Sequence, residues 1–202
     1  RFEKPMLRGR PIMDAISNVD FYKHGLIDIP VSATDHIEPF LRKPVENQWA
    51  YYCCGEYKAV GNRFLAFPEY RNRILGVQLF KFGIKGFLQW GYNFYHADRS
   101  MYVIDPYLTS SGDGMVPSGD PFSVYPGKDG PVASLRALNF KDALQDVDIL
   151  KALAQRTSHE HVVELIEKLA GMEIRFDKYP RNYEFIPALM DAVRQELEAG
   201  TC

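Results

Sequence analysis

Three things are scarce in this chain of 202 residues. It has only 3 cysteines, a near-absence of net charge, and no apolar stretch approaching the roughly 20 residues that span a bilayer. Each scarcity excludes something. Without a long apolar run, no membrane span and no membrane partner is expected. With 24 basic against 26 acidic residues the formal charge is −2, and both signs are spread along the chain. A protein that grips nucleic acid by neutralising phosphates shows a basic patch or stripe, and none is visible, so nucleic acid is disfavoured. The cysteine count is odd, and Cys53 and Cys54 are adjacent. Neighbouring residues of a strand point to opposite faces, so a bond between these two would be strained. Reduced thiols in a reducing compartment are the expectation, and with them a cytoplasmic location. The first residues, Arg1 to Pro5, are unlike a signal peptide and lack an initiator methionine, so the chain is expected to begin inside a longer protein.

What is present is the material of a globular domain. Hydrophobic residues make up 46% of the chain and charged ones 25%. A chain of this length buries roughly 70% of the surface exposed when it is unfolded, enough to hold a core without disulfides. Four segments read as strands: Lys4 to Arg8 (weakly), Leu26 to Ser32, Gln48 to Cys54, and Gly86 to Tyr95. The second and fourth are near-continuous apolar or aromatic runs, the pattern of strands covered on both faces in a parallel sheet. Helical patterns lie between them. Pro11 to Lys23 starts with a proline suited to a first turn and stops at Gly25, Asp35 can cap a short helix to about Lys43, and Pro68 opens another that ends at Gly83. Strand alternating with helix is the grammar of a parallel α/β fold.

After the fourth strand the style changes. Residues 96–133 form a loop dense in glycine, proline, serine and aspartate, and loops beyond about 15 residues generally serve a site or are disordered. Phe122, Val124 and Tyr125 in near alternation predict that this one is pinned down. From Ser134 the chain turns helical: Ser134 to about Gln155, Ser158 to Leu169 ending at Gly171, and Pro187 to Leu197. Four βα units are half of an eight-unit barrel, and a full barrel takes about 250 residues. The expected architecture is therefore α/β: the C-terminal half of a (β/α)8 barrel with about four parallel strands, over residues 1–156, followed by a helical segment over 157–202 packed on the same domain. A complete small domain with a four-stranded sheet is the alternative.

In parallel α/β folds the working residues lie where strands run into loops. The fourth strand closes with Gln89-Trp90-Gly91-Tyr92-Asn93. An indole beside a glycine gives a flat apolar platform and Asn93 offers both donor and acceptor, a combination suited to a sugar ring, although Trp90 could equally fill a core. By alternation Trp49, Tyr51 and Cys53 share one face of the third strand and Ala50, Tyr52 and Cys54 the other; periodicity does not say which face is which. Nothing in the sequence supplies the nearby base or lowered pKa of a nucleophilic cysteine. At the end of the second strand His36 could bind substrate or move a proton, or merely cap a helix. Other patterns fail. His159 and His161 are two apart rather than one helical turn, Gly112, Gly114 and Gly119 open no helix after a strand, and Asp142, Asp146 and Asp148 read as a solvated helix face. No metal and no cofactor are implied.

The ordered set of short motifs is more specific than any one of them. Trp49-Ala50-Tyr51-Tyr52-Cys53 is followed by Asn62-Arg63-Phe64, by Arg71, Arg73 and Leu75-Gly76, and by Lys81 through Asn93. Then come Gly119-Asp120, Tyr125-Pro126-Gly127, Gly130-Pro131 and Ser134-Leu135-Arg136. From about residue 20 to 155 this succession resembles the C-terminal part of the catalytic domain of glycoside hydrolase family 123 and its uncharacterised relatives. The resemblance implies a (β/α)8 barrel, a β-N-acetylgalactosaminidase-type activity on β-linked, N-acetylated hexosamine glycans, and a retaining mechanism in which the substrate's acetamido oxygen attacks the anomeric carbon. In that scheme an aspartate orients the acetamido group and the adjacent glutamate protonates the leaving oxygen, the two forming an Asp-Glu dipeptide at the end of the fourth barrel strand.

No Asp-Glu dipeptide occurs in this chain. Its strands would be the fifth to eighth, so the acids are expected upstream of Arg1, and no catalytic residue is expected within it. What the resemblance carries over is the substrate floor: Trp90 as the stacking platform, Tyr92 and Asn93 near the sugar, and Tyr52, Asp120 and Tyr125 as further candidates. Asn62 and Arg63 either shape the site or make structural hydrogen bonds, and His36 is a candidate by position alone. The competing function is a non-catalytic carbohydrate-binding or structural module. A half-barrel has open edge strands, so self-association, or a bound N-terminal half, is expected of these residues in isolation.

Overall fold

Four short strands pair in chain order in the computed structural model of the protein, which describes residues 9–43 and 45–200. β1 (Met13–Ile16) lies parallel to β2 (Ile29–Ala33), β2 to β3 (Trp49–Tyr51), and β3 to β4 (Gly86–Leu88). Helix α1 (Asp20–Lys23), helix α2 (Glu38–Leu41) and the pair α3 (Tyr70–Arg73) and α4 (Leu75–Lys81) make the crossovers. An antiparallel hairpin, β5 (Val124–Gly127) with β6 (Gly130–Ala133), then leads into α5 (Leu135–Arg156), α6 (His159–Ala170) and α7 (Phe185–Ala199). The protein is thus α/β, a four-stranded parallel sheet with helices.

Register and alternation divide the sheet into two unlike faces. Val31, Trp49 and Gly86 lie side by side, as do Ala33, Tyr51 and Leu88. On the opposite face Ala50 aligns with Phe87, and there Ala50, Ile37, Val60 and Phe176 form a buried cluster on which Phe87 packs. Helices cover that second face. The first face is left partly open: Met13 and Leu88 are exposed, and Trp49 and Tyr51 are half-buried. The expectation of strands covered on both faces therefore holds for β2, where Pro30 to Ala33 are all buried, and is corrected for β4, where Leu88 is exposed.

The helical side holds the main core. One apolar cluster joins Ile74, Val77 and Phe80 to Leu150 and Leu153 of α5, Val162 and Ile166 of α6, and Leu189 and Val193 of α7. Helix α4 meets α5 so closely that a Cβ on Gly76 would stand 2.1 Å from the Ala143 carbonyl oxygen, which is why glycine occupies that position. Ser134 and Ser158 cap α5 and α6 by accepting the Ala137 and His161 amides, and α6 ends at Gly171 with a left-handed φ of 64°. Arg73 clamps the α5 carboxylate Asp146 at 2.6 and 2.9 Å. Gln78 of α4 donates to the carbonyls of Arg175 and Phe176, tying the segment between α6 and α7 beneath the sheet.

Several local expectations fail for identifiable reasons. Residues 11–23 are not one helix. Met13–Ile16 forms a strand on β2, buries Ile16 and leaves only the short α1 behind it, so ladder pairing overrides a helix-compatible proline. Asp35 does not cap α2, which starts after Ile37; its carboxylate instead meets His36 Nδ1 at 2.6 Å. The fourth strand stops at Leu88 rather than Tyr95, because the chain beyond it pairs with the 121–124 stretch of the long loop instead of with the sheet. The weak strand expected at 4–8 lies outside the described residues.

Candidate functional site

Where β4 ends, the chain turns at Gly91 against the loop that returns before the hairpin. A Cβ on Gly91 would lie 2.8 Å from the Asp120 carbonyl oxygen and 2.7 Å from that of Pro121, so glycine is needed for the two backbones to approach. The Phe94 amide donates to Pro121 and the Ser123 amide to Tyr92, closing the junction. This contact seats the Trp90 indole over Asp120, its Nε1 donating to Asp120 Oδ1 at 3.4 Å. Trp90 remains 37% exposed, more than a core tryptophan would be, with Phe94 tilted beside it at a ring separation of 5.8 Å. Tyr92 and Asn93 are exposed next to it.

Beneath the indole lies a buried polar knot centred on Arg63. Its Nη2 donates to the carbonyls of Asp120 and Gly91 and stands 3.5 Å from Asp120 Oδ1, while its guanidinium lies 5.4 Å from the centre of the Tyr52 ring. Asn62 positions Arg63: its Oδ1 accepts the Arg63 amide, and its Nδ2 donates to the carbonyls of Cys53 and Glu56. Tyr52 passes its hydroxyl to Asn72, which donates to the Arg136 carbonyl, and Arg136 in turn donates to Phe122. The loop after β3, the long loop after β4 and helices α3 and α5 are thereby locked to one another by buried groups.

Burial dominates the electrostatics of this knot. It pushes the Asp120 carboxyl up to about 6 against the opposing pull of Arg63 and the Trp90 hydrogen bond, and it pushes the Tyr52 phenol up to about 12. The Arg63 guanidinium is lowered by the same desolvation, with Tyr52 and Asp120 acting against it. Arg63 Nε and Nη1 and Asp120 Oδ2 have no hydrogen-bond partner among the described residues. An incompletely satisfied buried pair is a poor device for stability and a common feature of functional sites.

The expected site residues therefore separate into groups. Trp90, Tyr92 and Asn93 are each exposed, and Asp120 meets Trp90 from below, though wholly buried and not as a surface contact. Tyr52, expected to touch substrate, is only 1% exposed and packs edge-on to Phe87 on the helical side, so its role here is to support Arg63. Tyr125 is half-buried against Phe122 and Tyr107, bracing the hairpin to the long loop as the apolar alternation there predicts. His36 is exposed at the end of β2 with Asp35 as its partner. Arg63, which the sequence leaves as either site-shaping or structural, is the hub. Its key contact spans 57 residues, and no local pattern announces it. Alternation pairs Trp49 with Tyr51 without placing them; they lie on the open face, and Gly86 is where the Trp49 ring crosses β4, since a Cβ there would sit 2.3 Å from the indole.

Beside this region a groove of about 390 Å³ runs between the end of β4 and α5, lined by Gln89, Tyr92, Phe140 and Leu144, with Arg63 at its floor. The Cys53 thiol is pushed up to about 12, chiefly by burial, which disfavours the thiolate at neutral pH. Among the described residues no three histidine, cysteine or acidic side chains could together hold a metal ion, and no helix is long and apolar enough to cross a membrane.

These features define a parallel α/β protein with an aromatic surface at its strand ends, seated on a buried ionic support. Comparison with known proteins assigns the family. The model of the glycoside hydrolase 123 catalytic domain matches residues 4–153, and the chain belongs to that family. Among solved structures it is similar to a family 123 glycoside hydrolase from Clostridium perfringens, described for the details of its glycolipid glycan hydrolysis. The TM-score is 0.57 at 16% identity, covering 94% of this chain and 35% of that one. The chain thus spans about a third of the length of that neighbour. No curated protein matches it.

Proposed function

We propose that these residues are the C-terminal half of a (β/α)8 barrel and supply part of the saccharide-binding wall of a glycoside hydrolase acting on β-linked N-acetylhexosamine glycans. The observation that carries this reading is the asymmetry of the sheet. Its helix-free face presents Trp49 and Tyr51, with Trp90 exposed at the strand end, and the outer edges of β1 and β4 have no neighbouring strand among the described residues. Further strands on those edges would turn the open face into a lumen and the strand ends into the mouth of a site. Trp90 would stack on the CH-rich face of a sugar while Asn93 and Tyr92 meet its hydroxyls. Asp120 and Arg63 fix the indole without touching substrate.

The reacting groups of a retaining, substrate-assisted hydrolysis are an aspartate and an adjacent glutamate, and the chain has no Asp-Glu pair. On this reading both acids are supplied by the part of the protein that completes the barrel. The same fact favours a second reading, a carbohydrate-binding or structural module without catalysis. An assay of the whole protein on aryl β-N-acetylgalactosaminides and β-N-acetylglucosaminides separates the two. Turnover is expected, and Trp90→Ala is expected to raise KM by about tenfold to a hundredfold, the order of one lost aromatic platform. Absence of turnover across the panel by an intact fold overturns the hydrolase reading. Sugar-dependent quenching of tryptophan fluorescence in this chain, lost in Trp90→Ala, would then favour the binding module. In isolation these residues should self-associate through their open edges, and a clean monomer in size-exclusion chromatography counts against the half-barrel.

A further inference from the structure

Beyond Trp90 the chain carries further rings. Residues 93–97 are held from both sides by backbone pairing. On one side Asn93 bridges Phe122 and the Phe94 amide donates to Pro121; on the other His96 bridges Val103, the Ala97 amide donates to Tyr102 and the Ile104 amide to Tyr95. The side chains of this stretch divide by alternation. Tyr95 and Ala97 enter a closed cluster with Ile104 and Phe122, in which Ala97 and Phe122 are wholly buried and the Tyr95 hydroxyl donates to the Val124 carbonyl. Phe94 and His96 lie on the other side, ring against ring at 5.2 Å, and Phe94 stands 5.8 Å from the Trp90 indole. Trp90, Phe94 and His96 thus follow one another in a row, the first exposed and the other two half-buried.

The backbone at the far end of the row is strained. The turn that joins His96 to Val103 has Arg99 at φ 48° and Ser100 at φ 63°, two consecutive non-glycine residues in the left-handed region. A side chain makes that region costly, and such conformations concentrate where a ligand is held. This turn sets the pairing of His96 with Val103 and so the place of the imidazole in the row. The rings are tilted by 52° and 44° to their neighbours, so the row is stepped rather than flat. One sugar covers a single ring of about its own size; three rings in succession offer apolar surface to more than one.

We propose that the row of Trp90, Phe94 and His96 binds a glycan of at least two sugar units, Trp90 taking one and Phe94 with His96 the next. The successive tilts suit a β-linked chain, whose neighbouring units are turned relative to each other. The inference rests on the saccharide reading of Trp90 and adds to it the length of the ligand: an oligosaccharide rather than a single sugar. Phe94 and His96 are on this account specificity-determining residues, which select for what is attached to the sugar on the indole.

The test is a calorimetric titration of the whole protein with N-acetylgalactosamine, with N-acetylglucosamine, and with the β-linked disaccharide that each forms with galactose. For the N-acetylhexosamine that binds, its disaccharide is expected to bind about tenfold more tightly, the order of one added aromatic contact. His96→Ala and Phe94→Leu should each bring the ratio of disaccharide to monosaccharide affinity towards one. A purely structural role, bracing Trp90, would weaken both sugars together and leave the ratio as it was; that result overturns the proposal, as do equal affinities in the wild type. Monosaccharide binding without a disaccharide advantage removes the extended row alone. If none of the four sugars binds, the saccharide reading of Trp90 falls and the row falls with it.

Discussion

The helical side of the molecule and its strand-end side are built to different rules. Around Leu150, Val162, Ile166, Leu189 and Val193 the interior is aliphatic and closed, and the buried carboxylate beside it, Asp146, has both oxygens paired with Arg73. Under Trp90 the interior contains two arginines, a carboxylate and two asparagines, with four of their polar atoms unpaired among the described residues, beneath aromatic rings that stay partly in solvent. Apolar burial stabilises by roughly 25 cal/mol per Å², whereas a buried ion pair is weak evidence for stability. The first region holds the fold; the second holds a geometry. That division is what a recognition surface on a rigid support requires.

Removing one partner of the buried pair gives the largest expected effect. Arg63→Met leaves Asp120 as an uncompensated buried charge and should cost about 3–5 kcal/mol in denaturant unfolding. Adding Asp120→Asn should recover a substantial part of that loss, since the stranded charge is gone. If the double variant were no more stable than the single one, the knot would be an ordinary packing core and the contrast between the two regions would fail. On the helical side Leu150→Ala, at a fully buried position, should cost about 2–5 kcal/mol with no comparable rescue by a second polar change. That variant should leave sugar-dependent quenching of Trp90 intact wherever the protein remains folded.

The same contrast governs what could be read from the sequence. Helix ends on the helical side follow local chemistry, so Ser134, Ser158 and Gly171 mark the ends of α5 and α6 in sequence and structure alike. The βα alternation after residue 26 was legible for a similar reason: apolar runs and helix stops are short-range signals. The strand-end side is made by contacts distant in sequence, and there local patterns mislead. Continuing aromatics carry the expected fourth strand to Tyr95, but the approach of Asp120 and Pro121 at Gly91 turns it away after Leu88. Alternation puts Trp49 with Tyr51 but does not reveal that helices cover only the Ala50 face. Trp90 was legible because an indole beside a glycine at a strand end is itself a local signal; Arg63 was not, because only the fold brings it to Asp120.

The smallest expected effect concerns pH. Burial raises the Asp120 carboxyl from its ordinary value of 3.8 to about 6, so between those values the folded protein binds a proton that the unfolded chain does not. The sign follows: stability contributed by this group is fully present below about pH 4 and is lost as pH rises through about 6, by up to about 3 kcal/mol. Asp120→Asn keeps an acceptor for the Trp90 indole but has nothing to titrate. Subtracting the variant's unfolding free energy from that of the wild type at each pH should leave a curve falling from pH 4 to 6 and flat above. A curve rising over that window would mean that Arg63 outweighs desolvation, making the pair a conventional salt bridge and the strand-end region no different in kind from the Arg73–Asp146 clamp on the helical side.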